Sequence, residues 1–147
     1  MIQRLQSIYL FLAVAAYVTL FFFPIAEIST QDASNSFSLL EITNYKSNST
    51  LPLIIVACLL ALSCFVTIFL FKKRPLQIKI TAITLLVQIG FVAALFYAAD
   101  SIAKKLGTIA EYQAGMYIAL VPILFIVLAH RAIRKDEKMV SNTDRLR

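Results

Sequence analysis

The sequence predicts an all-α membrane protein, a four-helix transmembrane bundle under a small outer cap. Three observations lead there. Of 147 residues, 60% are apolar and only 15% charged, too little polar surface for a soluble domain of this length. The charges cluster and leave four long runs almost free of ionisable groups. The basic residues gather at alternate ends of those runs, as the positive-inside rule requires. A helix rises about 1.5 Å per residue, so about 20 apolar residues cross the hydrocarbon core. Lipid offers no partner to a backbone amide, which makes the runs helical despite their β-branched content. The chain reads as one domain, 1–147, with spans at about 5–23, 51–71, 76–98 and 114–129 and a tail over 131–147.

Each element has its own signals. Arg4 and Gln6 flank the start of the first span and Pro24 closes it. The run is long for a signal peptide, and no small-residue cleavage site follows Phe21-Phe22-Phe23-Pro24, so the helix is expected to be retained. In the first outer loop, Gln31 to Ser36 is turn-like. Its flanks, Ile25 to Ser29 and Phe37 to Thr43, either pair as a small β-hairpin or form a plain flexible loop. Asn48-Ser49-Thr50 matches a glycosylation sequon, a short signal lying against the membrane. Pro52 suits the first turn of the second span, and Ser49 or Thr50 can cap it. Lys72, Lys73 and Arg74 stop that span, and Pro75 keeps it from merging with the third.

Gln77 and Lys79 mark the start of the third span, Asp100 its end. Beyond it, Ile102, Leu106 and Ile109 predict one or two amphipathic turns at the interface, ended by Gly107. Tyr112 and Tyr117 are placed to anchor the outer end of the fourth span, and Pro122 predicts a kink within it. Past the membrane, Ala132, Ile133, Met139 and Val140 keep helical spacing, which predicts a cytoplasmic extension of the last helix.

Orientation follows from the basic residues. With the N-terminus inside, the cytoplasmic segments hold eleven: Arg4, Lys72, Lys73, Arg74, Lys79, Arg131, Arg134, Lys135, Lys138, Arg145 and Arg147. The outer segments hold three, Lys46, Lys104 and Lys105, so both termini are expected in the cytoplasm. The same placement accounts for the net charge of +6 without nucleic-acid binding, since no basic domain stands outside the membrane. Cys58 and Cys64 lie in one run, about 240° apart on a helix, and read as two small buried side chains rather than a disulfide.

No span carries Asp, Glu, Lys, Arg or His near its middle, which argues against a proton relay, an ion-coupled transporter or an intramembrane protease. There is no HExxH and no phosphate-binding glycine loop, and no catalytic, cofactor or metal residue is assigned. Gln88 is the most polar mid-span group, with Thr84 one turn and Thr81 two turns before it. It reads as glue between helices, the alternative being a polar lining for a small substrate. Gly90, Ala94 and Ala98 repeat every fourth residue and predict a close helix contact, inside the bundle or between two copies. Ala57 with Ala61, and Gly115 with Ala119, give weaker versions of the same signal. His130 reads as a polar interfacial group.

Lys72, Lys73, Arg74, Arg131, Arg134, Lys135 and Lys138 form a cytoplasmic basic surface. Asp136 and Glu137 interrupt it, which favours docking of the tail over headgroup binding. The expected partners of these two acids are Arg4, Lys72 and Lys73, or a cytoplasmic protein.

Two stretches carry a family resemblance. The start, Met1-Ile2-Gln3-Arg4-Leu5-Gln6-Ser7-Ile8-Tyr9-Leu10, resembles an uncharacterised family of Bacteroidota membrane proteins, domain of unknown function 4293. So does the end, from Ala129-His130-Arg131-Ala132-Ile133-Arg134-Lys135-Asp136-Glu137-Lys138 through Asp144-Arg145-Leu146-Arg147. The Phe69 to Ile78 turn is similar too, and His130 stands where Asn is more usual. The resemblance implies a bacterial inner-membrane protein with four spans and implies no activity. Together these readings lead to the expectation of a non-enzymatic accessory or scaffold subunit, held in the lipid bilayer against a membrane-protein partner or a second copy. The alternative is a small transporter or channel with a polar path near Gln88.

Overall fold

The computed structural model describes residues 3–30, 33–39, 51–70, 73–105, 107 and 109–145. Its elements are α1 (Gln3–Phe22), β1 (Pro24–Thr30), β2 (Ala33–Ser38), α2 (Leu51–Phe69), α3 (Arg74–Lys105), β3 (Glu111–Tyr112), α4 (Ala114–Ile118) and α5 (Val121–Arg145). Four helical stretches are long and apolar enough to cross a membrane: Leu5–Phe22, Leu51–Phe69, Arg74–Lys105 and Ala114–Met139. They suggest a multi-pass membrane protein. Helix α1 packs on α2 and α5, and α3 also packs on α2 and α5, so α1 and α3 face each other across the diagonal of the bundle.

The buried seams explain this packing. On α1 the buried residues are Gln6, Leu10, Ala13, Tyr17 and Leu20; on α2 they are Leu53, Ala57, Leu60, Cys64 and Thr67. On α5 they are Pro122, Ile126, Ala129, Ile133 and Asp136. All three seams step alternately by four and three residues, the 3.5-residue repeat that keeps one stripe of a helix facing its neighbours. Helix α3 does the same with Gln77, Thr81, Thr84 and Gln88. The polar residues therefore lie inside, while Phe11, Phe22, Ile55, Leu62, Ile83, Leu86 and Leu124 point outward. In water this arrangement would be inverted; in hydrocarbon it satisfies both kinds of group.

Three elements differ from expectation. The first is β2, which begins at Ala33 and pairs antiparallel with β1 from Thr30↔Ala33 to Pro24↔Ser38. Ala33 to Ser36, expected in the turn, are thus strand, because pairing to β1 overrides their weak local preference. Tyr112 and Glu111 add a third strand on the other edge of β1, opposite Ala26 and Glu27. The second is α3, which continues to Lys105 and absorbs the turns expected as a separate interfacial segment. Ala99 and Ala103 keep its inner face buried that far. Gly107, at φ +68°, then takes the left-handed conformation that terminates helices, its N–H donating to the Lys104 carbonyl at 3.2 Å.

The third is the fourth span, where the kink expected from Pro122 is a full break, with two helices parted at Ala119–Leu120. Backbone helix continues through the tail to Arg145. Cys64 is buried but Cys58 is exposed, a correction that follows from their places on and off the α2 seam; both are free thiols. The sequon Asn48-Ser49-Thr50, the proposed strand residues Leu40 to Thr43, and Leu106 lie outside the described residues.

Candidate functional site at the broken helix

Pro122 has no N–H to give the Ile118 carbonyl, one turn back. The disturbance spreads one residue further. The Ile123 N–H turns to the Leu120 carbonyl at 3.1 Å, in the tighter i−3 pattern, and so leaves the Ala119 carbonyl without its usual helical partner. Gln88 fills the vacancy. Its Nε2 donates to the Ala119 carbonyl at 2.8 Å, and its Oε1 accepts from the Tyr17 hydroxyl at 2.7 Å. Both side chains are fully buried. One amide thus spans the bundle's diagonal and joins α1, α3 and the broken span at mid-depth. It uses one donor and one acceptor inward, and the groups it meets are neutral.

Close approach of α4 makes this geometry possible. A Cβ built on Gly115 would lie 2.5 Å from the Pro24 carbonyl oxygen and 2.9 Å from that of Phe23. Only glycine lets the first turn of α4 rest on the backbone leaving α1. Gln113 adds to the fit: its N–H donates to the Ile25 carbonyl at 2.9 Å and its side-chain amide to Glu27 at 3.0 Å. Beside it the Tyr112 hydroxyl donates to Asp100 at 2.9 Å, and this bond raises the phenol above its ordinary pKa. The Tyr112 ring also meets Phe96 edge-on at 5.1 Å.

Gly90 makes no close contact inside the bundle, one of the two places expected for it. It is exposed, and an added Cβ would meet nothing within 4 Å. The reason is geometric: two residues turn a helix by about 200°, so a buried Gln88 sends Gly90 outward. Within one bundle, therefore, Gln88 and Gly90 cannot both face inward. Ala94 and Ala98 are half-buried and pack against the core from the flank of the seam. The glycine that meets a neighbouring backbone is Gly115. Its signal was present in the Gly115–Ala119 pair but had nothing to raise it above the alanine background.

A second polar joint lies toward the tail. Gln6 donates through Nε2 to the Asp136 carboxylate, with both residues 5% exposed. Arg74 donates to the Asp136 backbone carbonyl at 3.3 Å. Again α1, α3 and the last helix meet. Asp136 therefore turns inward to an amide, whereas Lys73 is exposed; Lys72 and the side chain of Arg4 lie outside the described residues. Arg131, Arg134, Lys135 and Lys138 are exposed, and Arg74 is half-buried. Nearby, Gln77 donates to the Thr67 carbonyl at 3.1 Å and secures α3 to α2, while the Thr81 hydroxyl bonds its own helix at the Gln77 carbonyl, 2.7 Å away. The Nδ1 atom of His130 is buried with no hydrogen-bond partner among the described residues. Among the described residues no three of His, Cys, Asp and Glu gather as a metal site would need.

Sequence reasoning missed Tyr17. A tyrosine normally marks the membrane interface, so one at the centre of an apolar run is itself a sign of a buried partner. Residues 2–146 match the model of the family described as Domain of unknown function (DUF4293). The chain belongs to this family. No curated protein and no solved structure matches it. The DUF4293 match covers both joints, the cap and the broken helix, so these features lie within the family domain rather than in an appendage.

Proposed function

We propose that the protein is a non-enzymatic accessory or scaffold subunit of a bacterial cytoplasmic membrane, with both termini in the cytoplasm, packing against a larger membrane partner. The observation that carries this reading is the use of Gln88. The amide best placed to line a polar path spends its donor on the Ala119 carbonyl and its acceptor on the Tyr17 hydroxyl. A transporter would keep such a group available to its substrate and expose it to an aqueous groove. Here the polar groups hold the bundle together, and what faces outward is apolar side chain between basic ends.

Gentle detergent extraction of the full chain, followed by identification of co-purifying membrane proteins, tests the partner. A defined stoichiometric complex is expected. A chain that purifies alone while a Gln88→Leu variant folds normally and loses uptake of a solute would favour the transporter instead. The orientation has its own test. Single cysteines introduced at Asn35 and Lys104 should react with an impermeant reagent in intact cells, and one at Ser141 should not. Labelling at Ser141 would reverse the topology.

A further inference from the structure

We propose that the outer face of α5 holds one anionic phospholipid, its acyl chain along the helix and its phosphate at Arg131. A groove of about 500 Å³ runs along this face, lined by Leu120, Ile123, Leu124, Val127, Leu128 and Arg131. It starts at the helix break and ends at a cation. Those eleven residues of advance amount to about 16 Å of helix, which is half of a hydrocarbon core about 30 Å thick. A partner helix would use a face of full membrane depth. A lipid chain uses one leaflet, and the groove has that length.

The charge at its end completes the match. Taking about 100° per residue, Arg134, Lys135 and Lys138 all project within about 60° of Arg131, on the groove side of the helix. All four are exposed. The two neighbouring acids project elsewhere, about 120° to 140° away. Asp136 is buried against Gln6, and Glu137 is half-buried. The sequence alone counts these acids against headgroup binding; their directions remove that objection. An apolar half-depth groove that ends at Arg131, with three further cations beyond it on the same side of the helix, is complementary to a lipid with a negative phosphate and no compensating ammonium. Each cation near an anionic surface contributes about 1 kcal/mol, a factor of about five in affinity.

The inference rests on the membrane reading, though not on which way round the chain is inserted. Its test is binding of phosphatidylglycerol and of phosphatidylcholine with the same acyl chains to the purified full chain in neutral detergent, followed by native mass spectrometry. Phosphatidylglycerol should remain bound at one copy and phosphatidylcholine should not. Arg131→Gln with Lys135→Gln should weaken that binding about 25-fold, about fivefold for each cation removed. Leu124→Trp, which fills the groove and leaves every charge in place, should also displace the lipid; its melting curve reports whether it is folded. Equal retention of the two lipids would overturn the proposal. So would phosphatidylglycerol binding that ignores all three substitutions, or a protein helix occupying the face in the purified complex. Labelling at Ser141 from outside would move the site to the other leaflet and leave these binding results unchanged, so the two readings fail separately.

Discussion

The two polar joints join the same three parts of the chain by different chemistry. At mid-depth, a neutral amide takes a carbonyl that a proline has released, and a phenol fixes the amide's other end. Toward the tail, an amide meets a carboxylate, and a guanidinium takes that residue's backbone carbonyl. Depth in a bilayer, on the membrane reading, would account for the difference. A charge at the centre of a bilayer is costly, whereas near the headgroups it can be reached by water. Mid-depth polarity is therefore limited to neutral groups that satisfy one another, while ionisable groups are tolerated at the end. The mid-depth joint should thus depend on hydrogen-bond pairing alone, and the tail joint should tolerate a change of charge that keeps its pairing.

The largest effect is expected where the mid-depth joint is positioned. Gly115→Leu forces a side chain into the Pro24 carbonyl, and should destabilise the bundle by about 3 kcal/mol in detergent unfolding, at the upper end of overpacking costs. Gly90→Leu should stay within about 0.5 kcal/mol of the parent, since it projects into open space. If the two glycines behaved alike, the approach of α4 to the α1 exit would not be what sets the joint.

Next comes the amide itself. Gln88→Leu leaves the Ala119 carbonyl and the Tyr17 hydroxyl without their partner and should cost about 1–3 kcal/mol. A double-mutant cycle sharpens this. Pro122→Ala restores an N–H and lets the helix close over the break, so Gln88→Leu should cost about 1 kcal/mol less in that background. Strict additivity would separate Gln88 from the break. Tyr17→Phe removes one bond and keeps the ring, and a loss of about 0.6 kcal/mol, the average for hydrogen bonds between membrane helices, is expected. A loss as large as that of Gln88→Leu would make the phenol the main support.

Much of this fold was legible because lipid makes the rules strict. Lys72, Lys73, Arg74 and Pro75 marked the α2–α3 turn, and apolar length marked the helices. The sites were harder to read for a physical reason. When a helix is apolar all round, hydrophobic periodicity no longer reports which face is inside. Gly90 and Gln88 were each plausible as inward residues, and only their 200° separation could have forced a choice. Partners distant in sequence, such as Gln6 with Asp136 or Gly115 with Pro24, left no local pattern. They depend on which helices meet across the bundle, which the seams fix only after folding.

The smallest effect should come from the tail. Asp136→Asn preserves the shape of the side chain and keeps an oxygen facing the Gln6 amide, so the bond between α1 and α5 survives. Two changes then oppose each other. Removing the charge relieves the burden of holding a carboxylate at 5% exposure. It also weakens the field that attracts Arg74, whose bond is to the backbone carbonyl and not to the carboxylate, so the contact itself remains. The net change should lie within about 0.5 kcal/mol, as for substitutions that break no named contact. Asp136→Leu is the contrasting variant. It leaves the Gln6 amide buried without an acceptor and should cost about 1–3 kcal/mol, the same as losing Gln88. Unfolding of both variants at equal ionic strength gives the comparison. If Asp136→Asn were as damaging as Asp136→Leu, the tail joint would depend on the charge of Asp136 and not on its pairing with Gln6.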